Sequence, residues 1–291
     1  MSDDQRRVDE ISGTETTGHS WDGIEELNTP LPRWWLWTFY ACIAFSAVYV
    51  VLFPAIPLVN EATQGVLGWS SRGNLSEELD EVAATNLERT ELLQAVSIED
   101  AAADPSLRAF AIAGGRAAFQ VNCVQCHGSG AAGGAGYPNL NDDDWLWGGS
   151  LAQIEETLLY GIRHDQYDFT RWSEMPAFGA GILTRAEISD VAWHVLDLAG
   201  LDVDDVEAAA RGATLYYDQC ASCHGDIGEG MDDLGAPTLN DAIWLFGDTH
   251  ADIAKQITAP RHGVMPGWQD RLGEATVRQL AIYVHGLGGG E

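Results

Sequence analysis

Lysine is almost missing from this 291-residue chain. Lys255 is the only one, and Lys and Arg together number 15 against 44 Asp and Glu, a formal net charge of −29. So acidic a chain lacks the basic face that a generic nucleic-acid binder needs for the phosphates. Two readings of the acidity stand side by side: electrostatic steering of a basic partner, and solvation adapted to a salty habitat. Methionine is also scarce, at four residues, and cysteine stands at five. Charge is missing altogether between Arg33 and Glu61, and no stretch shows the strict apolar–polar alternation of a half-buried strand.

The chain is longer than one typical domain, which suggests two domains and an additional segment. The uncharged run from Trp34 to Val59 has about the length needed to cross a bilayer, and Trp34, Trp35, Trp37, Phe39 and Tyr40 crowd its start as an interfacial aromatic belt would. A cleaved signal peptide is the competing reading. The polar stretch upstream, the length of the apolar run and the want of a small-residue cleavage site after it all favour an uncleaved anchor. Arg6, Arg7 and Arg33 before the span lean towards a cytoplasmic N-terminus. Cys42, inside the span, reads as a small apolar residue.

The other four cysteines form two Cys-x-x-Cys pairs, Cys123/Cys126 and Cys220/Cys223. Either pair alone could be half a zinc site or a redox dithiol. The residue after each pair decides: His127 and His224 complete Cys-x-x-Cys-His, the attachment signature of c-type haem. On a helical turn, residues three and four apart share one face, so two thioether-forming cysteines and a proximal iron ligand point the same way. Two covalently bound haems c are therefore expected. Bacterial c-type haem is attached outside the cytoplasmic membrane, which places everything after the span in the periplasm.

The motifs sit in an internal repeat. Gly115 and Phe119 align with Gly212 and Tyr216; Pro138-Asn139-Leu140-Asn141-Asp142 aligns with Pro237-Thr238-Leu239-Asn240-Asp241; and Trp145-Leu146-Trp147-Gly148 aligns with Trp244-Leu245-Phe246-Gly247. Each repeat closes on a helical-period run, Ala186–Leu198 and Ala275–Leu287, and the Gly/Pro-rich remainder reads as loops of a small all-α unit. A unit this small has a marginal core and would rely on its haem to fill it.

Met175 and Met265 both precede proline at equivalent places after the motifs, and a thioether opposite histidine gives a closed iron of raised potential. They are the expected sixth ligands. Chain distance permits each methionine to serve its own repeat's iron and equally permits a crossed arrangement. Met231 has no counterpart and is not expected to ligate. Arg163-His164 and Arg261-His262 recur in matching positions; the arginines are candidate propionate contacts and the histidines candidate supports of the site.

With these features in hand, the chain resembles the dihaem cytochrome c subunit, subunit III, of cbb3-type cytochrome c oxidases (CcoP/FixP type). The resemblance extends to Gly23-Ile24-Glu25-Glu26-Leu27-Asn28 and Pro30-Leu31-Pro32-Arg33-Trp34-Trp35 before the span, and to Gly68-Trp69-Ser70-Ser71-Arg72-Gly73 after it. It continues through Tyr137-Pro138-Asn139-Leu140 and Arg261-His262-Gly263-Val264-Met265-Pro266. Such a chain is all-α, with one transmembrane helix followed by two tandem class I cytochrome c domains. The expected organisation is a cytoplasmic segment 1–33, an anchor 34–59, a periplasmic linker with surface helices 60–110, and cytochrome domains 111–201 and 205–291. The resemblance implies electron transfer from a periplasmic cytochrome c donor towards a monohaem cytochrome subunit and a haem–copper subunit. There oxygen is reduced with high affinity and protons are pumped; this chain has no cluster of membrane histidines for such a centre. A free-standing membrane-tethered dihaem carrier is the alternative, and a dihaem peroxidase or gas sensor would require an open sixth site.

Overall fold

The computed structural model describes residues 6–290, which form two compact units, residues up to Thr85 and residues from Asn86 onward. The first unit opens with an antiparallel hairpin, β1 (Thr16–Trp21) and β2 (Ile24–Leu27). Its turn is Asp22-Gly23 with φ of 52° and 87°. An Asp-Gly pair with two positive φ angles fits the tight turns that match strand twist, so the hairpin follows from local chemistry. It stands inside the segment read from sequence only as a polar leader.

Helix α1 (Arg33–Leu52) follows and is apolar on every side, with no buried residue. At about 1.5 Å per residue it is long enough to span a hydrocarbon core. It ends before the expected limit at Val59. Pro54 restricts Phe53 to extended backbone, at φ −118° and ψ 162°, and the chain folds back. Val66 N–H then donates to Val51 O (2.9 Å) and Leu67 N–H to Leu52 O (3.2 Å), satisfying carbonyls of the last turn. Gly65, at φ +70°, permits this approach, because a Cβ there would run into the backbone of Leu52 and Phe53.

The long helix α2 (Ser71–Ala95) covers the stretch Leu75–Leu93 expected to be helical, and its last turns belong to the second unit. There Leu93 is fully buried, together with Ile98 and Ala101 of α3 (Ile98–Ala103). Residues 86–110 are thus part of a folded core and not only a spacer. Helix α4 (Pro105–Asn122) starts at Asp104, whose carboxylate accepts from Ser106 and Leu107 N–H (2.8 Å each), with Pro105 in the first turn. The motif helices α5 (Val124–His127) and α9 (Ala221–His224) directly follow α4 and α8 (Val206–Gln219). Ser150–Gln153 and Thr184–Glu187 capping boxes begin α6 (Leu151–Tyr160) and α7 (Arg185–Leu198), and Thr249 caps α10 (His250–Thr258). Helix α11 (Gln269–His285) bends at Gly273 and is regular beyond it, close to the expected Ala275–Leu287.

Two hydrophobic cores result, and each draws residues from both of the stretches 111–201 and 205–291. The first joins Leu107, Phe119, Ile154 and Leu158 to Val277, Leu280 and Val284 of α11. The second joins Ile188, Val191 and Val195 of α7 to Tyr216, Ile253 and Ile257. Each repeat has exchanged its closing helix with the other. The cause lies in the connector 199–205, short enough that α7 and α8 must pack as an antiparallel pair, which leaves α4 to α11. The aligned glycines are the contact points. A Cβ at Gly115 would enter the Gln279 backbone of α11, and one at Gly212 would enter the Asp190 backbone of α7.

Candidate functional site

Each core opens on a cavity beside one Cys-x-x-Cys-His motif. In the first, Cys126 N–H and His127 N–H both return to Cys123 O (3.1 and 2.9 Å), a single helical turn that sets Cys123, Cys126 and His127 together. Cys223 and His224 repeat it onto Cys220 O (3.1 and 3.0 Å). His127 Nδ1 lies 3.2 Å from Pro138 O, and His224 Nδ1 lies 2.9 Å from Pro237 O. A carbonyl only accepts, so Nδ1 carries the proton in both rings and the lone pair is on Nε2. Burial lowers the pKa of both histidines, against a smaller opposing effect of the proline carbonyl. They are neutral imidazoles with one fixed tautomer, the form a metal needs. Burial, and secondarily the neighbouring cysteine, pushes the Cys123 and Cys220 thiols up to about 11. Cys126 and Cys223 are exposed.

The first cavity is walled by Phe119, Trp145, Trp147, Leu158 and Leu280 and carries Cys123 and His127 on one side. The methionine that lines it is Met265, from the other repeat. The second cavity carries Cys220, Cys223 and His224, and the methionine on its wall is Met175. The predicted ligands thus come together in pairs His127/Met265 and His224/Met175, the crossed arrangement that chain distance left open. Met231 is 39% exposed and lies beside the turn Asp232–Leu234, on neither wall.

The methionine segments are held differently. Ile162 N–H donates to Met265 O (2.9 Å) and Met265 N–H to Ile162 O (3.0 Å), a two-bond bridge. Gly161 makes room for it, since a Cβ at its φ of +75° would meet Met265 O. Gly267 N–H reaches His164 Nδ1 at 3.4 Å. Met175 N–H instead donates to His262 Nε2 (3.1 Å). Both repeated histidines therefore support the methionine segment that arrives from the other repeat. Arg163 and Arg261 both line the second cavity and not the first. Arg261 stacks on Phe246 at 4.2 Å and donates to Phe246 O (3.2 Å), whereas Arg163 donates to Gly263 O (2.7 Å) and Ser173 O (2.8 Å).

The cavities fit a haem on independent grounds. Trp244 lines the second, and its buried indole N–H has no hydrogen-bond partner among the described residues, a donor suited to an acidic edge group. Both walls are largely aromatic and aliphatic, as a macrocycle requires. Sequence reasoning assigned no role to Pro138, Pro237 or Gly161. The prolines stood in the aligned blocks, 11 residues after His127 and 13 after His224, and that recurrence was a readable signal.

Residues 13–60 match the family model described as the N-terminal domain of cytochrome oxidase-cbb3, FixP. Residues 110–195 and 207–284 match the model for cytochrome c oxidase, cbb3-type, subunit III. The chain is 50% identical over 286 residues to the cbb3-type cytochrome c oxidase subunit FixP of Rhizobium etli, covering 98% of this chain and 99% of that protein. It is 51% identical over 277 residues to the subunit CcoP of Cereibacter sphaeroides, 95% of each chain. To FixP of Rhizobium meliloti it is 48% identical over the whole of both chains. The cytochrome domains imply covalently bound haem c. With matching models before and after the anchor helix and relatives aligned end to end, the chain belongs to the family of subunit III of cbb3-type cytochrome c oxidases.

Proposed function

We propose that this chain carries two covalent haems c and passes electrons from a periplasmic cytochrome c donor towards the monohaem and haem–copper subunits of a cbb3-type oxidase. The observation that carries the reading is the pairing of one Cys-x-x-Cys-His motif with one methionine in each cavity. Cys123 and Cys126 would hold the first haem, with His127 and Met265 as the ligands available to its iron; Cys220 and Cys223 would hold the second, with His224 and Met175. When bound, each haem supplies a one-electron couple whose potential a thioether ligand raises.

The chain's own groups do the rest. Pro138 O and Pro237 O orient the proximal imidazoles and keep Nε2 unprotonated. With a methionine on each iron there would be no open position for a substrate, so oxygen reduction would be left to another subunit. Apolar walls exclude water and limit reorganisation when one charge is added. Helix α1 anchors the chain in the bacterial inner membrane, N-terminus inside and cavities in the periplasm.

Purification in mild detergent tests the assembly. The expected result is co-migration with a haem–copper subunit and oxygen consumption dependent on a reduced cytochrome c. A lone chain with reversible redox bands and no oxidase activity would instead establish a free-standing tethered carrier.

A further inference from the structure

We infer that Arg163 is a positioning residue that sets both methionine segments at once, by clamping the carbonyl two residues before each methionine. The inference rests on the ligand roles proposed above for Met175 and Met265. Arg163 Nε–H donates to Gly263 O at 2.7 Å, and Arg163 Nη1–H donates to Ser173 O at 2.8 Å. Gly263 precedes Met265 as Ser173 precedes Met175, so one guanidinium joins the same point of two chain segments. The bonds are charge-assisted, and the planar fork fixes their relative direction in a way a single ammonium does not.

The clamp is itself anchored. Arg163 N–H donates to Arg171 O (2.9 Å), and Arg171 N–H donates to Gly161 O (3.1 Å). Between these bonds, Ile162 pairs with Met265. Arg163 therefore springs from the backbone that holds Met265, and from there its side chain also reaches the segment of Met175. Its own backbone sits at φ +50°, a conformation rarely adopted by residues with a Cβ and retained here by these contacts.

The repeat supplies an internal control. Arg261 occupies the matching sequence position, yet its guanidinium lies over the Phe246 ring and donates to Phe246 O, within its own repeat. A role shared by both arginines, such as contact with a haem propionate, does not explain why only Arg163 ties the methionine segments.

The test uses the full-length, haem-loaded chain within its detergent-purified complex, reading the methionine–iron charge-transfer absorption, both midpoint potentials and haem content. Met175→Ala and Met265→Ala each leave one methionine-ligated haem to observe. Adding Arg163→Gln to either variant is expected to cause partial loss of the remaining charge-transfer absorption and a downward shift of that haem's potential, with haem content unchanged. Arg261→Gln is expected to leave both absorptions in place. If Arg163→Gln lowers haem content, Arg163→Lys decides: it keeps the charge without the fork, and loss of absorption supports the clamp while full retention overturns it. A potential shift at one haem with both absorptions intact would assign Arg163 to a propionate and overturn the inference. If neither methionine variant loses any absorption, the ligand reading itself fails, a result distinct from failure of the clamp alone.

Discussion

In the first cavity the methionine arrives on a strand-like segment, and Met265 exchanges two main-chain hydrogen bonds with Ile162. In the second, Met175 offers its N–H to an imidazole, His262. The sequence counterpart of Ile162 is Pro260, which has no N–H to give, and that of Gly161 is Ala259, whose Cβ would crowd such a bridge. Two sites that each bring a motif and a methionine together are thus supported by different bonds, because the repeats diverge in the residues that would carry the backbone pairing. Their cores diverge as well. Arg278 of α11 reaches Glu155 of α6 at 2.9 Å with side-chain exposures of 8% and 18%, and also donates to Leu93 O. The ion pair in the other core, Arg211 of α8 to Asp190 of α7 at 2.7 Å, has an arginine that is 58% exposed. Equivalence of motif does not imply equivalence of environment, and potentials and stability should separate accordingly.

The largest test breaks the crossed pairing. In a chain whose second attachment site is removed by Cys220→Ser and Cys223→Ser, Met265→Ala should abolish the remaining haem's His/Met spectrum. Its potential should fall by on the order of 0.1 V or more, within the roughly 0.8 V that axial ligands span. Met175→Ala should leave that spectrum in place, and the opposite outcome would establish pairing within each repeat. Next comes the buried tie. Arg278→Met leaves the Glu155 carboxylate largely buried without its partner and should cost about 3 kcal/mol in denaturant unfolding. Arg211→Ala removes a solvent-screened pair and should leave the unfolding midpoint unchanged.

A further effect concerns a group both cavities share. Asp144 lines each of them, and burial, reinforced by Asp241, Asp142, Asp143 and Asp232, raises its pKa from 3.8 to about 6; Arg163 and Arg261 are the cations on the second wall. A carboxyl with a raised folded-state pKa binds its proton more tightly in the native state. Its stabilising contribution is therefore complete below 3.8 and lost as pH rises through about 6. Linkage alone gives about 3 kcal/mol for such a shift, and solvent screening of the partly exposed carboxyl makes the change smaller than that. Asp144→Asn should flatten this part of the stability profile, followed by unfolding at a series of pH values. A profile unchanged by the substitution would show that the carboxyl is solvated.

Much of this was legible in the residues. The single-turn motifs and the helical periods of α2, α7 and α11 lie where sequence reasoning put them, because each depends on local spacing. The Asp22-Gly23 hairpin was equally local and went unread, and Pro54 marked the early end of α1. The helix exchange was not legible from the repeat, since the apolar faces of α7 and α11 suit either partner. Only the shortness of 199–205 favoured one pairing, and it works through three-dimensional reach, which periodicity does not encode.

The exchange also orders the making of the molecule in time. A ribosome delivers the first motif long before it delivers α11 and Met265, so the first cavity stays without its closing helix and its methionine until the chain is nearly complete. The second cavity meets Met175 and α7 already waiting when Cys220 to His224 emerge. The site begun first is finished last, and a chain cut short anywhere before Met265 leaves the earlier of the two motifs without the methionine proposed for it.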